Sequence, residues 1–278
     1  MPAAQRITAT ILGCGSSGGV PRIGNVWGDC DPSEPRNRRL RCSLLLEGFS
    51  EGSDTPTRIV IDTGADLREQ MLAARVDRLD AVLYAHAHAD HTHGIDDLRV
   101  LALHNRRRVD VYCDAPTGAR LREAFAYCFE TPSGSDYPPI LNAHEIAAGQ
   151  VVVVDGPGGT ISVTAFEQTH GSITSLGFRV GNFAYSCDLS GFPEASFAAI
   201  SGLDLWIIDA LRPTPHPSHL SLPETLEWIT RFAPRQAVLT NMHIDLDYRT
   251  TDAETPGNVT PAFDGMQIDV GAGRILGR

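Results

Sequence analysis

His86-Ala87-His88-Ala89-Asp90-His91 places three imidazoles and a carboxylate within six residues, directly after the apolar run 81–85. A short apolar run of this kind reads as a buried strand, so the cluster sits at a strand's C-terminal end, on a loop held by the core. Alternation along an extended segment puts His86 and His88 on one side, while Asp90 and His91 can turn toward a second ion about 3.5–4 Å from the first. Imidazole with carboxylate suits a divalent transition metal, whereas calcium or magnesium would be held mainly by oxygen. A solvated loop that merely happened to be rich in histidine would gain nothing from a carboxylate at this spacing.

Upstream, residues 7–12 alternate as a strand and run into Gly13-Cys14-Gly15-Ser16-Ser17-Gly18-Gly19, readable either as a backbone approach to phosphate or as a plain turn. Residues 21–41 are rich in Pro, Gly, Asn and Arg, which predicts a long surface loop walling a substrate pocket. Strands follow at 43–47 and 58–61, the second ending at Asp62-Thr63-Gly64, and then a helix over 67–74. Downstream the pattern predicts strands at 109–113, 151–154, 161–166, 176–180, 183–186, 205–208 and 237–239. Helices are expected over 118–129 and 223–232, and a polar loop over 250–263.

Two groups of strands with helices between and after them fit two packed sheets with helices outside, an α/β architecture of the αββα sandwich type. With no repeat, low-complexity tract or linker separating two cores, residues 1–278 are expected to form a single domain.

Hydrophobic residues make up 42% and charged residues 21% of the 278, enough apolar side chain for a large core. The net charge of −11 argues against nucleic acid as a partner, because phosphate-backbone binding needs clustered positive charge. All 23 basic residues are arginine, which removes Schiff-base and phosphate-loop lysine mechanisms. Arg106-Arg107-Arg108 and the arginines of 36–41 read as solvated faces. Cys14, Cys30, Cys42, Cys113, Cys128 and Cys187 lack paired C-x-x-C spacing and read as reduced thiols. No signal-peptide pattern and no apolar run of about 18 residues is found, so a cytoplasmic protein without a membrane partner is expected.

The histidine cluster resembles the H-x-H-x-D-H signature of the metallo-β-lactamase superfamily. Three further matches follow in the family's order: Gln168-Thr169-His170-Gly171, Ser186-Cys187-Asp188 and Asn241-Met242-His243, each placed after a strand. The resemblance implies that His86, His88 and His170 hold one ion, that Asp90, His91 and His243 hold the other, and that Asp188 bridges them. Asp62 is similar to the family's carboxylate that orients a ligand imidazole; its other reading is a turn residue before Gly64. His93, His104 and His144 fall outside the pattern and read as surface or core histidines.

His88 stands where the family's redox-active di-iron branch has glutamate, and Asp188 stands where antibiotic-degrading members have cysteine, so hydrolysis of a phosphodiester is the branch implied. Residues 13–22 and Pro217-Ser218-His219-Leu220-Ser221 resemble the phosphoribosyl cyclic phosphate phosphodiesterases and, more distantly, ribonuclease Z. That resemblance makes Asp90 and His219 the catalytic candidates, with His219 giving a proton to the leaving alkoxide and His216 as the other choice. The relatives' structural zinc site uses several cysteines, of which only Cys30 remains, so no such site is expected here.

The expected reaction is hydrolysis of a small, in one form cyclic, phosphate ester by a metal-bridging hydroxide. Two divalent transition-metal ions, zinc and/or manganese with iron as a third choice, would generate that nucleophile. The expected partner is the small-molecule phosphate ester, with a homodimer left open. The alternatives are a lactone or thioester hydrolase on the same site and a metal-binding module without turnover.

Overall fold

The computed structural model describes residues 1–276. Its strands are β1 (Arg6–Gly13), β2 (Ser43–Phe49), β3 (Thr57–Ile61), β4 (Ala81–Leu83), β5 (Val109–Cys113), β6 (Leu141–Glu145), β7 (Val151–Val154), β8 (Ile161–His170), β9 (Ile173–Val180), β10 (Phe183–Ser186), β11 (Leu205–Asp209), β12 (Gln236–Thr240), β13 (Val259–Pro261), β14 (Gln267–Asp269) and β15 (Arg274–Ile275). Its helices are α1 (Leu67–Ala73), α2 (Ala89–Thr92), α3 (Leu98–His104), α4 (Ala115–Ala124), α5 (Ala126–Phe129), α6 (Leu222–Phe232) and α7 (Tyr248–Glu254). The strands form two sheets, ordered β15-β14-β1-β2-β3-β4-β5-β6 and β13-β12-β11-β10-β9-β8-β7.

Period-two alternation explains why the first sheet needs a layer on each face. Leu44, Leu46, Ile59, Ile61, Ala81 and Leu83 face the second sheet, where they meet Val163, Phe178, Tyr185 and Ile207. The intervening Leu45, Val60, Val82 and Tyr84 point the other way, against Leu67 and Met71 of α1, Leu98 and Ala102 of α3, and Leu121 of α4. On the far face of the second sheet Phe192, Trp206, Trp228 and Phe232 pack together, Trp228 and Phe232 face to face and the other pairs edge to face or tilted. The αββα sandwich expected from the sequence is the architecture found.

Several local expectations differ. The helix predicted over 118–129 starts earlier, because Asp114 accepts the Thr117 N–H at 3.0 Å and Pro116 lies in the first turn, where a missing N–H costs nothing. It breaks at Phe125, whose φ of −130° is not helical. The expected loop 250–263 contains part of α7 and all of β13: Asp247 caps the helix through the Thr250 N–H at 3.0 Å, and only Tyr248 and Thr251 are buried, so no apolar stripe announced it.

Of the arginines of 36–41, Arg38 is exposed as expected, but Arg39 and Arg41 are not solvated. Arg39 is buried, its guanidinium donating to Asn37 Oδ1 at 3.2 Å and to the His243 carbonyl at 3.3 Å; Arg41 pairs with Asp66 at 2.9 Å. Arg106, Arg107 and Arg108 are exposed, as expected. No helix among the described residues is long and apolar enough to cross a membrane.

Candidate metal centre

Strands β3 and β4 run parallel, as do β10, β11 and β12, and β8 shares the direction of β10 because both are antiparallel to β9. Their carboxyl ends gather at one rim, where the Leu176 N–H of the second sheet donates to the Ala85 carbonyl of the first at 2.8 Å. Asp62 follows β3, His86 follows β4, His170 ends β8, Asp188 follows β10, Asp209 ends β11, and Asn241 follows β12. Asp62, Asp188 and Asn241 have φ of 64°, 53° and 60°. Left-handed backbone is unfavourable for such residues and collects where a site demands it.

Asp188 Oδ2 is the point on which the imidazoles converge. His91 Nε2 lies 3.3 Å away, His86 Nε2 3.7 Å, His170 Nε2 3.9 Å and His219 Nε2 4.0 Å. His88 Nδ1 stands 3.3 Å from His170 Nε2, and Asp90 Oδ2 stands 3.6 Å from His91 Nε2. Asp90 and His91 lie on the single turn of α2, and the His91 ring packs against that of His86 with centroids 4.3 Å apart.

The fold thus brings together His86, His88, Asp90, His91, His170 and Asp188. It sets His243 on the wall of an adjoining cleft that Asp90 and His219 also line, with Nδ1 donating to Asp245 Oδ2 at 2.8 Å and Nε2 against the Arg22 guanidinium.

The donor set fits a metal. His86 is 1% exposed, and neither of its ring nitrogens has a hydrogen-bond partner among the described residues. Two orphaned nitrogens on a buried ring are costly, and an ion would satisfy one of them. Burial, reinforced by His91, holds that ring's pKa well below the usual histidine range, in the neutral form that coordinates. Separations of 3.3 to 4.0 Å between ring nitrogens and Asp188 Oδ2 are longer than good hydrogen bonds. Ligands about 2.0–2.1 Å from one tetrahedral ion stand roughly 3.4 Å apart.

The His91 and His170 rings are anchored through Nδ1, which turns Nε2 toward the centre, whereas His88 presents Nδ1 to it. His91 Nδ1 donates to Asp62 Oδ2 at 2.8 Å, while Asp62 Oδ1 accepts the Ala85 N–H at 2.8 Å, so Asp62 orients an imidazole. His170 Nδ1 donates to the Ser218 carbonyl at 2.7 Å. Burial opposes charge on His91, but Asp188, Asp62 and Asp90 outweigh it and hold its pKa well above the usual range. Burial likewise opposes charge on Asp188, and His91 with His86 outweighs it, keeping the carboxylate ionised.

A second network adjoins the first. His219 Nδ1 donates to Asp209 Oδ2 at 3.0 Å, Asp209 Oδ1 accepts from Asn241 Nδ2 at 3.2 Å, and Asp209 Oδ2 also accepts the Leu189 N–H at 3.1 Å. Asp209 was not singled out in the sequence, where it ends an apolar run like Asp62; a carboxylate closing a buried strand ten residues before His219 was the available signal. His216 lies beside His219, ring centroids 5.1 Å apart, but its Nδ1 meets only Ser218. His93, His104 and His144 lie away from the centre and are exposed, His144 pairing with Asp110 at 2.9 Å.

Gly64 is required where the Asp62 turn passes beneath α2, since a Cβ there would lie 2.1 Å from the Asp90 carbonyl oxygen. Gly64→Ala is expected to cost at least about 1–3 kcal/mol as an overpacked contact and to shift Asp90. Scanning calorimetry with metal analysis of the same samples checks both.

A family model described as a beta-lactamase superfamily domain matches residues 57–244. The crystal structure of a diphosphatase from the PhnP family superposes with a TM-score of 0.83 at 31% identity, covering 95% of this chain and 97% of that one. Zinc-bound PqqB from Methylobacterium extorquens superposes with a TM-score of 0.70 at 16% identity, covering 94% and 99%, a likeness of fold. An octanoyltransferase of Porphyromonas gingivalis is 29% identical over 92% of this chain, which spans 50% of that protein.

Proposed function

The chain belongs to the metallo-β-lactamase superfamily and is a metal-dependent hydrolase, and from that premise we propose that it hydrolyses a small, in the favoured case cyclic, phosphoric diester with two divalent ions. The observation that carries this reading is the convergence of four imidazole nitrogens on Asp188 Oδ2 beside a cleft of about 180 Å³ lined by Asp90, His219 and His243. The likeness to a PhnP-family diphosphatase supports phosphorus as the atom attacked.

In this reading His86, His88 and His170 hold one ion, Asp90, His91 and His243 the other, and Asp188 both. His243 would take up its ion by exchanging Arg22 for it at Nε2. Zinc and manganese are the favoured metals and iron the third. Two such ions supply an activated water and neutralise charge building on the phosphoryl oxygens. Asp62 fixes the His91 ring so that its free nitrogen faces Asp188. His219 gives its Nε2 proton to the departing oxygen, and Asp209 holds the other ring N–H so that the proton sits on the nitrogen facing the centre. His216, without a carboxylate partner, serves this role less well.

A second reading, an acyl ester or thioester hydrolase on the same site, is favoured by the likeness to the octanoyltransferase, although the match spans half of that protein and does not assign its named activity to this part. Hydrolysis of bis(4-nitrophenyl) phosphate, a five-membered cyclic phosphate, a γ-lactone and an acyl thioester by zinc- and manganese-loaded protein separates the two. We expect the phosphodiesters to be turned over with kcat/KM at least about 100-fold above the acyl substrates. The reverse ratio would move the assignment to acyl chemistry, and full metal loading with no turnover of any of them would leave a binding module.

A further inference from the structure

The carboxylate on which the imidazoles converge turns one of its oxygens to them and the other to a thiol. Asp188 Oδ2 is the common neighbour of His86, His91, His170 and His219, whereas Oδ1 lies 3.0 Å from Cys187 Sγ. Adjacent side chains of a strand point to opposite faces, and that alternation would part these two. The left-handed backbone at Asp188, φ 53°, ends it, and the carboxylate meets the thiol. The backbone here is pinned from the neighbouring strands β8 and β9. Gln168 Nε2 donates to the Cys187 carbonyl at 3.0 Å and to Ser175 Oγ at 3.1 Å, and Ser175 Oγ donates to the Asp188 carbonyl at 2.8 Å. Gln168 and Ser175 are fully buried, and unfavourable backbone persists where its surroundings fix it in this way. With the chain held, rotation of the side chain is the freedom left to Asp188, and the Cys187 thiol opposes it on the Oδ1 side.

The separation tells a donor from a ligand. A thiolate about 2.3 Å and a carboxylate oxygen about 2.1 Å from one tetrahedral ion stand roughly 3.6 Å apart. The 3.0 Å between Cys187 Sγ and Asp188 Oδ1 is shorter. It suits an S–H donating to an ionised oxygen, a bond strengthened by the acceptor's charge. Cys187 lies in the core between the two sheets and is 1% exposed, so water does not compete for that oxygen from its side.

We propose that Cys187 is a positioning residue: its thiol holds Asp188 Oδ1, so that the carboxylate meets both ions through Oδ2 alone. Sharing one oxygen keeps two ions at the short separation of a dinuclear hydrolytic site, about 3.5–4 Å, whereas a carboxylate spanning them with both oxygens lets them part. The proposal rests on Asp188 as the bridging ligand of the proposed function and is independent of the substrate.

In the test, metal-free wild type, Cys187→Ala, Cys187→Ser and Asp188→Asn are titrated with zinc in competition with a chromophoric chelator. Cys187→Ala should bind both ions about 10–100-fold more weakly, the usual effect of losing a partner that orients a ligand. Cys187→Ser keeps a donor and should stay close to wild type. A thiol that merely fills the core gives the opposite order, because alanine leaves metal affinity unchanged and serine buries a hydroxyl among apolar groups. Infrared spectroscopy of the wild type reads the thiol directly, with Cys187→Ser as the blank. The S–H band lost in Cys187→Ser should lie at lower frequency than that of a thiol without an acceptor, and it should persist when both ions are bound.

Wild-type zinc affinity in Cys187→Ala, or serine binding more weakly than alanine, while Asp188→Asn is weakened, overturns the positioning role alone. Unchanged affinity in all three variants overturns the bridging place of Asp188 itself. Disappearance of the S–H band on metal loading would make the thiolate a ligand, and a band at the unbonded frequency would remove the hydrogen bond; either result overturns the proposal.

Discussion

Asp188→Asn is expected to strip the centre of metal. The side chain is buried, one of its oxygens is the common neighbour of four imidazole nitrogens, and its other oxygen is 3.0 Å from the Cys187 thiol. The amide keeps the shape and removes the anion that, in the proposed function, would balance both cations. Loss of a residue that only orients a ligand costs about 10–100-fold in metal affinity, the effect expected of Asp62→Asn, and Asp188→Asn should exceed it for both ions. Competition with a chelator, read by elemental analysis after desalting, makes the comparison. Equal affinities in wild type and Asp188→Asn would remove Asp188 from its bridging place, and His91→Ala should lose one ion in preference to the other.

The second large effect belongs to His219, and here metal content and rate should part. Its Nε2 stands 4.0 Å from Asp188 Oδ2, and the ring is tied to Asp209. His219→Ala is therefore expected to retain both ions while losing about 10²–10⁴-fold in turnover of an alkyl diester, the usual worth of a positioned acid. A 4-nitrophenyl diester needs little help in leaving and should lose far less. Burial works against a charged His219, but the hydrogen bond to Asp209 and the fields of Asp209, Asp188 and Asp90 prevail and raise its pKa to about 9 in the metal-free chain.

The acid form exists below the pKa of His219, so alkyl-diester turnover should decline as pH rises through it, and that limb should be missing from the His219→Ala profile. Bound cations would move the limb to lower pH without changing its sign. Equal losses on alkyl and nitrophenyl diesters, or loss of metal, would exclude His219 as the acid and turn attention to His216.

Much of this site was readable from residue order because its parts are tied to strand ends. A buried strand is short and apolar, so the first polar residue after it is conspicuous, and Asp62, His86 and Asp188 stand out in that way. The same rule applies to Asp209, which closes the buried strand β11 as its one charged residue. Other features depend on contacts between distant segments and leave no periodic trace. Arg39 sits among arginines that read as a solvated run, yet a carbonyl 204 residues away draws its guanidinium into the interior. β6, with the sequence Leu-Asn-Ala-His-Glu at a sheet edge, has too little apolar alternation to announce a strand. The orientation of His243 toward Arg22 is of the same kind, since the two are 221 residues apart.

In the proposed function, two divalent ions on these ligands make the chain a phosphodiesterase. Stepwise addition of manganese or zinc to metal-free protein, with bis(4-nitrophenyl) phosphate hydrolysis followed at each addition, tests it most directly. Turnover should climb until about two equivalents are bound per chain and then level off, and His91→Ala should level off near one equivalent at a far lower rate. Full turnover at one equivalent, or no turnover once two are bound, would contradict it.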